Sequence, residues 1–136
     1  MKYLLDVNAL VALCLGDHEF HERVSAWVNG FAVAGHYELM TCSITELGFL
    51  RILAQVPSYS FTIEQGKQLL SQLKSNSKIR FNFLADDAEI EQLPLWVKGP
   101  KQITDGHLLG LAKGHGAMLA TLDERIPGAL VIPRKI

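Results

Sequence analysis

Five short apolar runs, each separated from the next by segments with helical spacing, constrain this chain more than any other feature. The runs fall at residues 2–6, 37–42 (YELMTC), 79–84 (IRFNFL), 117–121 (AMLAT) and 129–132 (ALVI). Apolar residues recur at helical spacing over 8–15, 18–33, 44–55, 62–74, 87–93 and 104–114. Asp17, Thr62 and Thr104 are suited to opening three of these helices, while Gly114 and Gly116 suit the last one's C-terminal turn. Strands that alternate with helices predict an α/β fold, with a mostly parallel sheet of about five strands covered on both faces. Such sheets bind ligands beyond the carboxyl ends of their strands.

No repeat, low-complexity tract or linker divides the 136 residues, which predicts one domain spanning 1–136. The stretches QVPSYSFT and WVKGPKQIT read as loops within it. With 49% hydrophobic and 20% charged residues the composition is globular. No apolar run approaches the ~20 residues of a membrane helix, and an acid at position 6 breaks the pattern of a secretory leader. Cys14 and Cys42 stand singly in apolar surroundings, as reduced thiols of a cytoplasmic protein do. A net charge of −1 normally argues against a nucleic-acid partner. That argument fails if several of the acids hold cations, because neutralising four of them turns the balance positive.

Four acids are placed where a sheet of this kind works. Asp6 ends the first apolar run, Glu46 follows the second by four residues, Asp105 opens the helix before the fourth, and Asp123 follows the fourth by two. Each also has a local reading. Ser43-Ile44-Thr45-Glu46 matches a capping box, Asp105 complements a helix dipole, and Asp123 beside Glu124 suits a turn. Asp6 is harder to account for locally, because an acid at the end of a buried strand costs free energy unless it caps, pairs or binds something. Taken together, converging carboxylates repel one another until a cation neutralises them. Asp, Glu and Asn oxygens suit a hard ion such as Mg²⁺ or Mn²⁺, and such ions activate water against phosphate esters. His18, His21 and His36 lack the spacing of a zinc site.

At these residues the sequence resembles the PIN-domain ribonucleases, in particular the VapC toxins of type II toxin–antitoxin pairs. The segments LLDVNAL, CSITELGFLRIL and ITDGHLLGLAKGHGAMLATLD carry the likeness, in the family's order and over nearly the whole chain. The resemblance implies a PIN-like three-layer sandwich. It also implies an endoribonuclease dependent on Mg²⁺ or Mn²⁺, with Asp6, Glu46, Asp105 and Asp123 as metal and catalytic acids. The expected partners are an RNA substrate, a VapB-type antitoxin and a second copy of the chain, and no membrane. Asn8 resembles the polar residue that supports the first aspartate, although it equally suits a helix N-cap. Thr121 matches a hydroxyl residue before the last acid. Arg51 matches an arginine that would meet RNA phosphate or an acid, or stand solvated. Gly106 departs from the alanine common in relatives, which loosens the helix start by up to about 1 kcal/mol.

Other residues are read more locally. His107 either faces RNA or is a surface histidine, and Lys98, Lys101, Lys113, Arg125 and Arg134 are available to phosphate. Trp27 and Phe31, at helical spacing with Val24, read as core or as a partner-facing stripe. Two alternatives remain. A haloacid-dehalogenase-like phosphatase needs a second acid where Asn8 stands, and an amide is no general acid; a receiver domain fails similarly. A non-catalytic α/β binding module would use all four acids as caps and turn residues.

Overall fold

The computed structural model describes residues 1–35, 37–76 and 78–134, the side chains of 32–34 excepted. His36 lies outside the described residues. Strands β1 (Lys2–Leu5), β2 (Glu38–Thr41), β3 (Phe81–Phe83), β4 (Met118–Thr121) and β5 (Leu130–Val131) form one sheet in the order β3-β2-β1-β4-β5. Every neighbouring pair is parallel. The helices are α1 (Val7–Cys14), α2 (His21–Ala34), α3 (Ser43–Gln55), α4 (Ile63–Lys74) and α5 (Ile103–Gly114).

The period of two along each strand divides the core into two layers. Tyr3, Leu5, Leu39 and Ala120 face the cluster that contains α1 and the buried sides of α2, α3 and α4. Leu4, Met40 and Leu119 face the other side, against Leu108, Leu109, Leu111 and Ala112 of α5. Leu4, Leu5 and Leu119 are wholly buried, and each such side chain contributes about 2 kcal/mol. The three-layer sandwich expected of the sequence is the one observed. Trp27 and Phe31 belong to its core: both pack on Tyr3 with ring centroids 5.1 Å away.

Helix α1 is apolar all round, with Ala9 through Leu13 buried, because it lies between the sheet and α3. Gly48 of α3 permits that approach: a Cβ there would stand 2.7 Å from Val7 Cγ2.

Local readings fail where tertiary contacts take over. The helix expected over 87–93 is only a 3₁₀ turn at Ile90–Gln92. Ile90 is 78% exposed, so the segment lacks the buried stripe that would stabilise a helix. Asp86 and Asp87 are drawn instead to His107 of α5 and to His115, which caps it. Helix α2 starts at His21 and not at 18, and Phe20, not Asp17, is its N-cap. Residues before it form turns, in which the Phe20 amide donates to His18 Nδ1 (3.0 Å). Helix α4 opens as expected, Thr62 and Gln65 closing a reciprocal capping box. Helix α5 is preceded by a 3₁₀ turn at Pro100–Gln102, and Thr104 does not cap it. No described helix is long and apolar enough to cross a membrane.

Candidate active site

All four acids lie toward the carboxyl edge of the sheet. Asp6 follows β1 directly and is buried. Its Oδ1 accepts the Val7 amide (2.8 Å) as the N-cap of α1, and its Oδ2 accepts the Thr121 hydroxyl (2.7 Å). Each oxygen therefore keeps a lone pair free for a further partner. Burial pushes the Asp6 carboxyl above its ordinary range, the bonds from Thr121 and Val7 hold it back, and the charge of Asp123 adds to the rise.

Thr121 is a fully committed residue. Its hydroxyl donates to Asp6 while accepting from Asn8 Nδ2 (3.2 Å) and from the Asp123 amide (3.0 Å). Asn8 Oδ1 accepts the Leu122 amide (3.1 Å). Asn8 is thus neither the N-cap of α1 nor a direct partner of Asp6. It straps the end of β4 to α1, and it reaches Asp6 only through Thr121.

Asp123 fulfils its turn reading, since its Oδ1 accepts the Arg125 amide (2.9 Å). The Arg125 guanidinium grips both carboxylate oxygens at 3.0 and 3.2 Å. These bonds hold the Asp123 carboxyl below its usual range. Asp105, in the first turn of α5, makes no side-chain hydrogen bond among the described residues. Burial raises it first, and the charges of Asp6 and Asp123 raise it further, against a smaller lowering by Arg125. Three aspartates from β1, α5 and the turn after β4 therefore share one electrostatic field.

Glu46 stands apart from that trio. The capping box at the start of α3 is closed by Thr45 and Cys42 and not by Glu46, so the glutamate is free for other contacts. Its Oε2 accepts the Thr41 hydroxyl (2.6 Å) and pairs with Lys74 at the end of α4. Sequence reasoning missed both partners. Thr41 had a signal: like Thr121, it is a wholly buried threonine ending a strand beside an acid. Lys74, 28 residues from Glu46, had none.

Arg51, expected near phosphate or an acid, is exposed on α3 and makes no ion pair among the described residues. His107 points away from the trio: two residues past Asp105 is about 200° around a helix, and its Nε2 meets Asp86 Oδ2 (2.5 Å). Gly106 has a structural reason. A Cβ there would stand 2.3 Å from Val97 Cγ2 and 3.3 Å from Pro94 Cδ, so the glycine lets the 93–97 segment close over α5 beside Asp105. His18 and His21 are engaged with the backbone of Phe20 and Ala12. Cys14 and Cys42 are free thiols, and burial pushes the Cys14 thiol up to about 12.

Among the described residues, no three His, Cys, Asp or Glu side chains stand close enough together to hold a metal ion by themselves. The arrangement is instead an open, acidic edge in which one buried and one half-buried aspartate are raised together. Beside it, between the α1–α2 turn and the β4–β5 turn, runs a cleft lined in part by Asn8 and Asp123.

The PIN domain family matches residues 3–129. Ribonuclease VapC38 of Mycobacterium tuberculosis is 40% identical over 125 residues, which cover 88% of this chain and 84% of the relative. Ribonuclease VapC44 of the same species is 34% identical, covering 95% and 94%. Among solved structures, the sarcin–ricin loop cleaving toxin VapC20 of M. tuberculosis superposes with a TM-score of 0.63 at 11% identity, covering 98% of this chain and 99% of that one. VapBC2 of Rickettsia felis, bound to a promoter DNA fragment, gives 0.57 at 18% identity, with 96% of each chain covered. By sequence over nearly its whole length, and by a fold these structures share, the chain belongs to the PIN-domain family and, within it, to the VapC ribonucleases.

Proposed function

We propose that this VapC-family chain is the toxin of a type II toxin–antitoxin pair and hydrolyses RNA phosphodiester bonds with the help of a divalent cation. The observation that carries the catalytic reading is that burial raises both Asp6 and Asp105, and that the charge of nearby Asp123 adds to each rise. Carboxylates raised by burial and by one another lack a positive charge. The donors are all oxygen, which favours Mg²⁺ or Mn²⁺ over softer metals.

Asp6 and Asp105 would hold the ion, with Asp123 and Glu46 completing the site directly or through water. An open edge suits Mg²⁺, which commonly keeps several waters and uses few carboxylates. When bound, such an ion supplies activated water and stabilises the leaving oxygen. The chain's own residues do the rest. Thr121 fixes the Asp6 carboxylate, and Asn8 fixes Thr121. Arg125 stands exposed at the edge, where it can turn from Asp123 to an incoming phosphate. Lys74 balances Glu46 while no ion is present.

Partners follow from the same family membership: a VapB-type antitoxin, a second copy of the chain, and a cytoplasmic RNA. Leu47, Phe83, Ile90 and Leu95 are large apolar side chains more than half exposed, which supports protein partners.

The test is cleavage of a cellular RNA pool by antitoxin-free protein with Mg²⁺ or Mn²⁺. Asp6→Asn and Asp105→Asn should abolish cutting while the circular dichroism spectrum is retained. Absence of both Mn²⁺ binding in calorimetry and RNA cutting by the wild type would overturn the proposal.

A further inference from the structure

The cleft beside Asp123 contains a feature that the hydrolytic reading leaves unused. Phe20 is 38% exposed there, at the end of a turn that enters α2. Its surroundings fix it in place. The His18 ring lies 5.9 Å from it, tilted by 44°, and is itself held by the Phe20 amide. The Arg23 guanidinium lies over the ring at 5.8 Å. That guanidinium is in turn pinned by Nε and by a terminal nitrogen to the Ile132 carbonyl (2.8 and 2.5 Å). Ring, imidazole and guanidinium form a preorganised aromatic platform.

The rest of the cleft is suited to a backbone of phosphates. Arg125 and Arg134 are 90% and 81% exposed, and their partners Asp123 and Glu124 leave the guanidinium faces in solvent. With Arg23, three cations oppose two acids. The cleft is continuous with the acids, because Asn8 and Asp123 line it.

We infer that Phe20, backed by His18 and Arg23, is a stacking site for one unpaired RNA base beside the cleaved phosphate, and that Arg125 and Arg134 neutralise neighbouring phosphates. Every base has a π-face, so stacking fixes the path and the single-stranded character of the substrate more than its sequence. Arginine adds a cation–π contribution. This assignment rests on the ribonuclease reading above.

The experiment separates the two. Wild-type protein in EDTA is titrated with a short single-stranded RNA that spans its mapped cut site and carries 2-aminopurine at successive positions. Stacking quenches that base. The expected result is quenching at one position flanking the cut, lost in Phe20→Ala and Phe20→Leu and retained in Phe20→Tyr. Phe20→Leu should weaken binding roughly 5- to 100-fold with an unchanged melting temperature, since leucine keeps the apolar bulk and loses only the ring. Arg134→Gln should weaken binding more at low salt than at high salt. Quenching retained in Phe20→Leu overturns the assignment, as does quenching at none of these positions. An effect of Phe20 variants on antitoxin binding alone, with RNA binding unchanged, assigns the platform to the protein partner and equally overturns it. Failure of the wild type to cut RNA with any divalent ion is a different result: it removes the ribonuclease reading itself.

Discussion

Thr121 donates its one hydroxyl proton to Asp6 across 115 residues of sequence, at 2.7 Å. The bond couples the ends of adjacent strands, β1 and β4, and fixes the Asp6 carboxylate. Thr121 is wholly buried, so the hydroxyl cannot exchange these partners for water.

Removing that hydroxyl tests how far the site depends on it. Thr121→Val keeps the shape but strands the Asn8 amide and the Asp123 amide and takes a donor from Asp6. Unfolding in urea should show a loss of about 2 kcal/mol, the cost of leaving buried polar groups unpaired. Thr121→Ser, which loses only a methyl, should stay within about 1 kcal/mol of wild type. Equal losses in both variants would show that packing, and not the hydroxyl, matters.

Asp105 gives a prediction with a definite sign in pH. Its carboxyl is raised in the folded state, so its contribution favours folding below the ordinary carboxylate range, near pH 3.9. That contribution is lost as pH rises through the folded-state value. At pH 7 the metal-free Asp105→Asn protein should therefore be more stable than wild type. The gain is modest, up to about 1 kcal/mol, because solvent screens a half-exposed group. Asp123, lowered by Arg125, has the opposite sign: its contribution is present above the ordinary range and lost as pH falls below it. Thermal melts from pH 3 to 8 should show a flatter decline above pH 4 in Asp105→Asn. Added Mn²⁺ should raise the melting temperature of wild type and leave that of the variant unmoved.

Lys74 reports on whether Glu46 takes part in cation binding. In Lys74→Met, Glu46 keeps Thr41 but loses its counter-charge. The metal-free protein should lose about 1 kcal/mol, while Mn²⁺ should bind several-fold more tightly in calorimetry, since a nearby ammonium no longer opposes it. Unchanged Mn²⁺ affinity would place Glu46 outside the ion's reach.

Gly106→Ala sets helix propensity against packing. Alanine favours the helix by about 1 kcal/mol, but its Cβ meets Val97 Cγ2 at 2.3 Å. Valine is stiff about χ1, so the 93–97 segment must move. The net effect should be a loss of about 1–2 kcal/mol, with weaker Mn²⁺ binding through the displaced start of α5. A variant more stable than wild type would show that the segment adjusts freely.

The sequence by itself determined the sheet and the positions of the acids. Alternating apolar runs left a covered parallel sheet as the consistent solution, and all five runs became strands, shortened by one or two residues at their ends. Asp6 was conspicuous because an acid at the end of a buried strand costs free energy unless it caps, pairs or binds something, and the structure shows that it caps α1. Helix starts were legible where the cap is local, as at Thr62. They were not legible at Asp17 or over 87–93, where nearby turns, His107 and His115 offered better partners.

Only the tertiary structure decided how the acids are held. Glu46 left the capping box suggested by its spacing because Thr45 occupies it, and Lys74 then reached it from another helix. Asn8 secures Asp6 only through Thr121, and His107 turned to Asp86 because helical geometry carries it away from Asp105. Apart from the local Cys42–Thr45 box, the bonds that decide these arrangements, Lys74 to Glu46, Asn8 to Thr121 and His107 to Asp86, join residues distant in sequence. Local patterns report backbone preference and burial, whereas a carboxylate's partner depends on which elements the sheet brings side by side.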